Sequence, residues 1–179
     1  MDKDRDILVD ICWTLFYSNT TYDFLQIKGN WWNSLIYRLF RKDIVRSRAL
    51  RKFNRYSREE QLVRAEQFYV NYLEPRKIEE VWQMIQGKDI VLVSQTMDVL
   101  AQTVASHVKA KAYYATQTKE DVLAHYTDFD IITDNTSDIE LIKHAKQATI
   151  ITYSNMSRWK KILPRDVNVQ FIETGRDKY

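Results

Sequence analysis

Short apolar runs separated by stretches of helical spacing constrain the fold of this chain most. Five such runs occur, at residues 6–11, 90–94, 130–133, 148–152 and 167–172. Each has the length of a strand buried on both faces, which is typical of parallel sheets. Between two of them, apolar residues recur at helix spacing at Val99, Val104 and Val108. This alternation predicts an α/β fold, a doubly wound, Rossmann-like parallel sheet.

A long segment after the first run shows no strand pattern. Apolar side chains in residues 21–86 recur at helical intervals instead. They are Phe24, Trp31, Trp32, Leu35, Ile36, Leu39, Phe40, Leu62, Ala65, Phe68, Tyr69 and Tyr72. We therefore expect residues 17–86 to form an inserted α-helical cap domain. Residues 1–16 and 87–179 then form the α/β core.

Charge is distributed unevenly between these two parts. Residues 28–64 contain eleven basic and three acidic residues and carry +8, whereas the whole chain carries only +3. Such a segment either faces an anionic partner or forms a solvated basic surface, and the sequence leaves both interpretations open. No recognised nucleic-acid-binding motif accompanies it, so a nucleic-acid partner is not expected.

Residues 30–42 are both aromatic and basic. A helix of this composition could lie in a membrane interface, which keeps a peripheral membrane contact open. Paired residues such as Trp31 and Trp32 more often pack within a small cap or against its core. No apolar stretch reaches the roughly 20 residues that cross a bilayer. The aromatic content makes a dimer plausible, although the sequence does not fix the oligomeric state.

The compartment follows from cysteine content and from the first residues. Cys12 is the sole cysteine, which excludes an internal disulfide bond. The opening Met-Asp-Lys-Asp-Arg-Asp lacks the cationic-then-apolar order of a signal peptide. We therefore expect a cytoplasmic protein.

Polar residues follow three of the predicted strands. Asp10 closes the first apolar run, Ser94 ends the second, and residues 134–138 follow the third. Open α/β sheets bind ligands beyond the carboxyl ends of their strands. These residues should therefore converge at one sheet edge. A carboxylate directly after a buried strand is costly to place without a partner, which makes Asp10 the firmest candidate.

These residues fit four motifs of a known enzyme family. The chain resembles the haloacid dehalogenase superfamily, in the phosphoserine-phosphatase-like branch that carries a helical cap between motifs one and two. Asp10 with Thr14 resembles the D-x-D-x-T of motif one, and Ser94 within residues 91–95 resembles motif two. Asp134 with Asp138 resembles the D-x-x-x-D of motif four. The resemblance covers most of the chain.

Motif three is less sharply defined. Lys119 is the best candidate, and Lys109 and Lys111 compete with it. A lysine here would neutralise charge on the transferring group.

The resemblance implies a role for each residue. Asp10 would be the covalent nucleophile of a magnesium-dependent phosphatase or phosphotransferase that acts on a small anionic phosphorylated metabolite. The implied phosphate contacts are Thr14, Ser94, Gln95 and Lys119. The implied magnesium ligands are Asp10, the backbone carbonyl of Cys12, Asp134 and Asp138. Magnesium needs only one or two carboxylates besides water and substrate oxygens.

Three residues depart from the family pattern. Cys12 replaces the second aspartate, which serves as the proton shuttle, Trp13 stands where a small residue is common, and Thr133 stands where Gly is common. A thiol of ordinary pKa, near 8.5, is protonated at neutral pH and is a poor general base. We therefore expect a slow enzyme, unless another group substitutes. Candidates are Asp23, His107, His125 and His144, none of which lies beside a motif.

Simpler interpretations exist for several residues. Ser137-Asp138-Ile139-Glu140 fits a capping box, so Asp138 would merely favour a helix start. Lys119 could lie on the surface, and Ser94 could cap a helix.

Two other functions remain open. The branches that lack the second acid suggest cleavage of a carbon–halogen or carbon–phosphorus bond. A catalytically impaired binding or regulatory protein is the other alternative.

Overall fold

The protein is a six-stranded parallel sheet with helices on both faces. The computed structural model describes residues 5–26, 42–153, 156–164 and 166–175, and of residues 42–45 only the backbone. The strands are β1 (Asp6–Val9), β2 (Ile90–Ser94), β3 (Ala112–Ala115), β4 (Phe129–Thr133), β5 (Gln147–Thr152) and β6 (Asn168–Glu173). Their order is β3-β2-β1-β4-β5-β6, and every neighbouring pair is parallel. The predicted α/β class is confirmed.

Helices connect the strands. They are α1 (Thr20–Phe24), α2 (Lys42–Phe53), α3 (Arg58–Phe68), α4 (Glu79–Ile85), α5 (Asp98–Val108), α6 (Ile139–His144) and α7 (Met156–Ile162). A π-helical turn, Tyr69–Leu73, follows α3 and leads into a 3₁₀ turn, Glu74–Arg76. Two further 3₁₀ segments, Lys119–Ala124 and Thr136–Asp138, precede and follow β4.

Alternation along the central strand divides the core between the two faces of the sheet. Ile7 and Val9 of β1 pack into one cluster with Val81 and Ile85 of α4. Leu8 points the other way and packs with Leu141 of α6. All residues of β2 and β4 are buried, as expected for strands that are covered on both sides. This arrangement places the carboxyl ends of β1, β2 and β4 side by side.

One strand is absent from the sequence prediction. β3 consists of Ala112, Tyr113, Tyr114 and Ala115, pairs with β2 and is only partly buried. A short edge strand without Val or Ile lacks the continuous apolar run that marks the other strands. The remaining predicted runs coincide with strands to within one or two residues.

The inserted segment packs in two places. Phe53 and Ala65 form a separate cluster with Val99 and Leu100 of α5. Ile78 and the following helix α4 instead join the cluster beneath β1. The division at residues 17–86 therefore stays a prediction, and within residues 21–26 and 42–86 the structure contains helices and turns but no strand.

The aromatic and basic segment 30–42 lies almost entirely outside the described residues, so its membrane contact stays a prediction. In the described ranges, no helix has both the length and the apolar character needed to span a membrane.

Candidate active site

Asp10 lies at the centre of the carboxyl edge of the sheet. It directly follows β1, and its side chain is 5% exposed. Its backbone N–H donates to the carbonyl of Ile132 at 3.0 Å, and its Oδ1 accepts from the backbone N–H of Ile11 at 2.8 Å. These bonds fix the orientation of the carboxylate.

A pocket of about 130 Å³ opens beside this carboxylate. Its walls come from β1, α1, α2, β2 and the segments that flank β4. The lining residues are Asp10, Cys12, Asn19, Thr21, Tyr22, Arg46, Ser94, Gln95, Lys119 and Asn135. Segments far apart in sequence thus bring polar groups to one place, as the strand-end pattern predicts.

Lys119 is buried between two carboxylates. Its Nζ lies 3.1 Å from Oδ2 of Asp10 and 2.8 Å from Oδ2 of Asp138, and the residue is 3% exposed. Burial alone would lower the pKa of Lys119, but the charges of Asp10 and Asp138 outweigh it and hold the pKa above its ordinary value. Lys119 is therefore a fixed cation at the pocket and not a surface residue.

The two competing lysines lie elsewhere. Lys111 pairs with Asp6 at the amino end of β1, with Nζ 3.0 Å from Oδ1. Lys109 caps the carboxyl end of α5 in a left-handed conformation, at φ 55°. Neither lines the pocket.

Asp138 holds Lys119 in place together with Thr133. Oδ2 of Asp138 also accepts a hydrogen bond from Oγ1 of Thr133 at 2.6 Å, and Oδ1 accepts one from Oγ of Ser137 at 3.3 Å. The N-cap of α6 is Asp138 and not Ser137, and it makes no side-chain cap hydrogen bond, so the capping-box interpretation is wrong. Both carboxylate oxygens accept hydrogen bonds from protein donors, and Asp138 thereby supports Lys119, whereas its implied role as a magnesium ligand stays a prediction.

Thr133 is a site residue that sequence reasoning missed. Its hydroxyl donates to Asp138 and accepts from the backbone N–H of Asn135 at 3.0 Å. It therefore orients the carboxylate beneath Lys119 and tightens the turn after β4. The sequence did contain a signal for Thr133, because the resembled family commonly has glycine at this position.

Thr14 connects the loop after β1 with the loop after β4. The backbone N–H of Asp134 donates to Oγ1 of Thr14 at 3.0 Å, and Oγ1 lies 3.4 Å from Oδ1 of Asp134. Thr14 is fully buried and does not line the pocket, so it fixes the start of the turn that carries Asp134. Its implied contact with phosphate stays a prediction.

The donor set fits magnesium. In the described part of the chain, no group of three or more His, Cys, Asp or Glu side chains could hold a metal ion. Magnesium does not need one, because it binds through one or two carboxylates and keeps several waters. Asp10 and Asp134 follow the neighbouring strands β1 and β4, but Asp134 does not line the pocket, and magnesium binding by these two carboxylates stays a prediction.

Cys12 faces hydroxyl groups. Its Sγ lies 3.0 Å from Oγ1 of Thr20, which in turn lies 2.8 Å from Oγ1 of Thr96. Burial raises the pKa of the Cys12 thiol to about 11, and the charge of Asp10 contributes to the increase. The thiol is therefore neutral at physiological pH and cannot serve as a general base there.

Trp13 adopts a backbone conformation that favours glycine. Its φ is 56°, in the left-handed region, which costs a residue with a side chain about 1–2 kcal/mol. Tyr153 compensates, because its hydroxyl donates to the Trp13 carbonyl at 2.5 Å and its ring packs edge-on at 5.8 Å. A glycine would adopt this conformation without that cost.

The candidate substitutes for the missing acid lie away from the pocket. Asp23 accepts from Ser18 at 2.7 Å, His107 pairs with Glu66, His125 stacks on Tyr114, and His144 contacts the carbonyl of Glu140. None of these four lines the pocket. Ser94 does line it as the last residue of β2, and Met97 is the residue that precedes α5, so Ser94 is not a helix cap.

Five further lining residues were also missed. Asn19, Thr21 and Tyr22 come from the start of α1, Arg46 comes from α2, and Asn135 comes from the loop after β4. Arg46 appeared in the sequence only as one of eleven basic residues, and nothing in the local pattern distinguished it.

The parallel sheet thus carries a polar cluster at its carboxyl edge. Solved structures share this α/β fold, and two of them show the extent of the similarity. One is a protein of unknown function from Bordetella pertussis Tohama I, with a TM-score of 0.62 and 15% identity over 92% of this chain and 97% of that one. The other is cytosolic 5'-nucleotidase IIIB bound to cytidine, with a TM-score of 0.54 and 9% identity over 98% and 82%. No protein-family model and no curated protein sequence matches.

Replacing Lys119 with methionine is expected to destabilise the protein by about 3–5 kcal/mol, because two buried carboxylates lose their shared cation. Urea unfolding followed by circular dichroism, with EDTA present, measures the change. Lys111→Met is the matched control, since it breaks an exposed pair worth about 0–1 kcal/mol. Equal losses for the two variants would contradict the burial of Lys119 between Asp10 and Asp138.

Proposed function

We propose that this protein is a magnesium-dependent phosphatase or phosphotransferase in which Asp10 becomes phosphorylated. The observation that carries the proposal is Lys119, buried at 3.1 Å from Asp10 and 2.8 Å from Asp138 beside an open pocket. A strand-end carboxylate held against a fixed cation is suited to covalent attack on phosphorus. One protein of the same fold is named a nucleotidase, which supports phosphate chemistry at the level of the class.

In the first step, a carboxylate oxygen of Asp10 forms a bond to phosphorus, and the bond from phosphorus to the leaving oxygen breaks. Ile11 holds the carboxylate in one orientation through its backbone N–H. Lys119 offsets the charge of the transferring group, because its ammonium stays protonated. Ser94 is 1% exposed at the pocket wall and offers a hydroxyl to a phosphate oxygen.

A carboxylate and a phosphoryl group repel each other, so a second cation is required between them. Asp10 and Asp134, with the backbone carbonyl of Cys12, would hold the magnesium ion, which supplies that neutralisation. Thr14 fixes Asp134 for this role through its bond to the Asp134 backbone.

The site contains no efficient proton-transfer group at the position of Cys12. The Cys12 thiol can donate a proton to the leaving oxygen, and because its pKa is raised to about 11, the thiolate that this leaves takes a proton back from solvent at neutral pH and is not held as a base for the attacking water. Hydrolysis of the aspartyl phosphate therefore proceeds without a general base at this position. Loss of such assistance typically costs about 10²- to 10⁴-fold in rate. We expect the phosphorylated enzyme to persist and to dominate the steady state.

A panel of phosphorylated small metabolites tests the proposal. Phosphate release is expected in the presence of magnesium and should be lost when EDTA removes it. Haloacids and phosphonates assayed in parallel distinguish the other bond-cleavage reactions. Release of halide, or cleavage of the phosphonate, without phosphate-ester turnover would contradict the proposed reaction. No turnover of any compound would favour a binding or regulatory protein.

A further inference from the structure

A second cavity lies apart from the pocket at Asp10. It has a volume of about 480 Å³ and opens between α4 and the carboxyl end of α5. Its lining residues 85–88 lead from α4 into β2, and 107–109 lead from α5 towards β3, so the cavity lies towards the amino edge of the sheet. Small-molecule pockets usually measure roughly 300–1,000 Å³, so this one can enclose a small organic ligand. The proposed reaction uses none of its residues.

The walls of this cavity are partly apolar and partly aromatic. Trp82, Ile85 and Val108 line it, together with the imidazole of His107. The His107 ring is itself stacked on Tyr69, with ring centroids 3.7 Å apart. Aromatic walls of this kind bind planar rings through stacked or edge-on contacts. The apolar part of a matching ligand is therefore a planar ring.

Two lysines give the cavity a positive charge. Lys88 and Lys109 line it, against one acidic lining residue, Glu79. Among the described residues neither lysine forms an ion pair, in contrast to Lys77 and Lys111. Both ammonium groups are therefore available to a ligand. An anionic group attached to a planar ring matches this combination of walls and charge.

A chain of hydrogen bonds connects the cavity to Asp10. Nε1 of Trp82 donates to the carbonyl of Leu15 at 3.1 Å. The backbone N–H of Leu15 donates to the carbonyl of Ile11 at 3.0 Å. The backbone N–H of Ile11 in turn donates to Oδ1 of Asp10 at 2.8 Å. Three bonds in succession thus lead from a wall of the cavity to the carboxylate.

Phe16 provides a second connection between the two places. Its ring packs edge-on against Trp82 and against Tyr69, with centroids 5.9 Å apart in each case. Its backbone forms a β-bridge with Cys12, which lines the pocket at Asp10. A ligand that fixes Trp82 and His107 would therefore also restrain the loop that carries Cys12.

We propose that this cavity binds a small planar aromatic anion, and that its occupation restrains residues 11–16 and so regulates the pocket at Asp10. The ring lies against Trp82 and His107, and the anionic group lies near Lys88 and Lys109. The proposal does not depend on the reaction at Asp10, because ligand binding and restraint of the loop are both measured without turnover.

Three matched probes test the class of ligand. 1-Naphthoate has the aromatic ring and the charge, 1-naphthamide lacks the charge, and decahydro-1-naphthoate lacks the aromatic ring. In ligand-detected NMR titrations, 1-naphthoate should bind the intact protein about 3- to 10-fold more tightly than either relative, the range of one exposed ion pair or one aromatic contact. Equal binding of the three probes, or no binding of 1-naphthoate, would overturn the proposal.

Substitution of the two lysines tests where the anion lies. Lys109→Asn should weaken binding of 1-naphthoate about 3- to 10-fold, and asparagine tolerates the left-handed conformation of Lys109, so the end of α5 is preserved. Lys88→Gln should act in the same direction. Lys146→Gln is the matched control, since Lys146 is exposed and does not line the cavity. Equally tight binding by all three variants would contradict the assignment.

Alkylation of Cys12 by N-ethylmaleimide measures the effect on the loop. Cys12 is the sole cysteine of the chain, so the reagent has one thiol to modify. Saturating 1-naphthoate should slow alkylation about fivefold or more, at the lower end of usual allosteric coupling. Trp82→Phe keeps an aromatic wall but cannot donate to Leu15. In that variant 1-naphthoate should still bind, and the slowing should be largely lost.

Two results would overturn the coupling. One is alkylation that stays unchanged when 1-naphthoate is bound to the intact protein. The other is slowing that persists in Trp82→Phe or in the double variant Lys88→Gln/Lys109→Asn, which would indicate direct protection of Cys12 at the pocket. If the phosphatase reaction is wrong instead, phosphate release is absent while probe binding and Cys12 alkylation keep their expected results.

Discussion

Asp10→Asn is expected to reduce turnover by roughly 10⁴-fold or more, to the background of the assay. The amide has nearly the same shape as the carboxylate and still accepts the backbone N–H of Ile11, but it cannot act as the nucleophile. Continuous release of p-nitrophenol from p-nitrophenyl phosphate, with magnesium present, measures the loss. The effect is large because covalent catalysis depends on one atom that no neighbouring residue supplies.

Asp23→Asn is the control for this substitution. Asp23 accepts a hydrogen bond from Ser18 and does not line the pocket, so its replacement should change turnover by less than about threefold. Unchanged activity in Asp10→Asn would show that the covalent mechanism is wrong. Equal losses in both variants would point to a general structural effect.

Cys12→Asp is expected to increase turnover by about 10²- to 10⁴-fold, because it introduces the missing general acid and base. The new carboxylate would lie beside Asp10, and a neighbouring negative charge raises the pKa of an acid. It would also lie within reach of the Thr20 hydroxyl that now contacts Sγ. The charge of Asp10 favours proton exchange nearer neutral pH, and a hydrogen bond from Thr20 would orient the carboxylate while lowering its pKa. Steady-state kinetics of phosphate release measure the gain.

Cys12→Asn controls for shape and polarity without adding a titratable group. It should leave turnover within about threefold of the original protein. If Cys12→Asp gains no more than Cys12→Asn, the thiol does not occupy the proton-transfer position. If only Cys12→Asp is active, the original protein is better described as an impaired binding protein.

The central strands of this fold were predictable because apolar residues dominate each of them. Residues 90–94 and 130–133 are buried on both faces, and burial selects apolar side chains at most of their positions. β3 was not predictable in the same way. Its alanines and tyrosines pack at one edge of the sheet, where partial burial allows a mixed composition.

The site residues likewise differ in how far the local sequence predicts their position. Asp10 and Ser94 were predictable because the end of a strand fixes their position relative to the sheet. Lys119 was ambiguous among three lysines, since its 3₁₀ segment has no pattern that reveals burial. Arg46 could not be found at all. It reaches the pocket through the packing of α2, and tertiary packing of that kind leaves no local signal.

Direct detection of the phosphorylated residue tests the central claim most sharply. The protein would be mixed with p-nitrophenyl phosphate and magnesium, quenched in acid during turnover, digested, and mapped by mass spectrometry. The account predicts one phosphoryl group on the peptide that contains Asp10, its removal by hydroxylamine, and its absence in Asp10→Asn. Turnover with no phosphorylated peptide, or with the phosphoryl group on another residue, would contradict it.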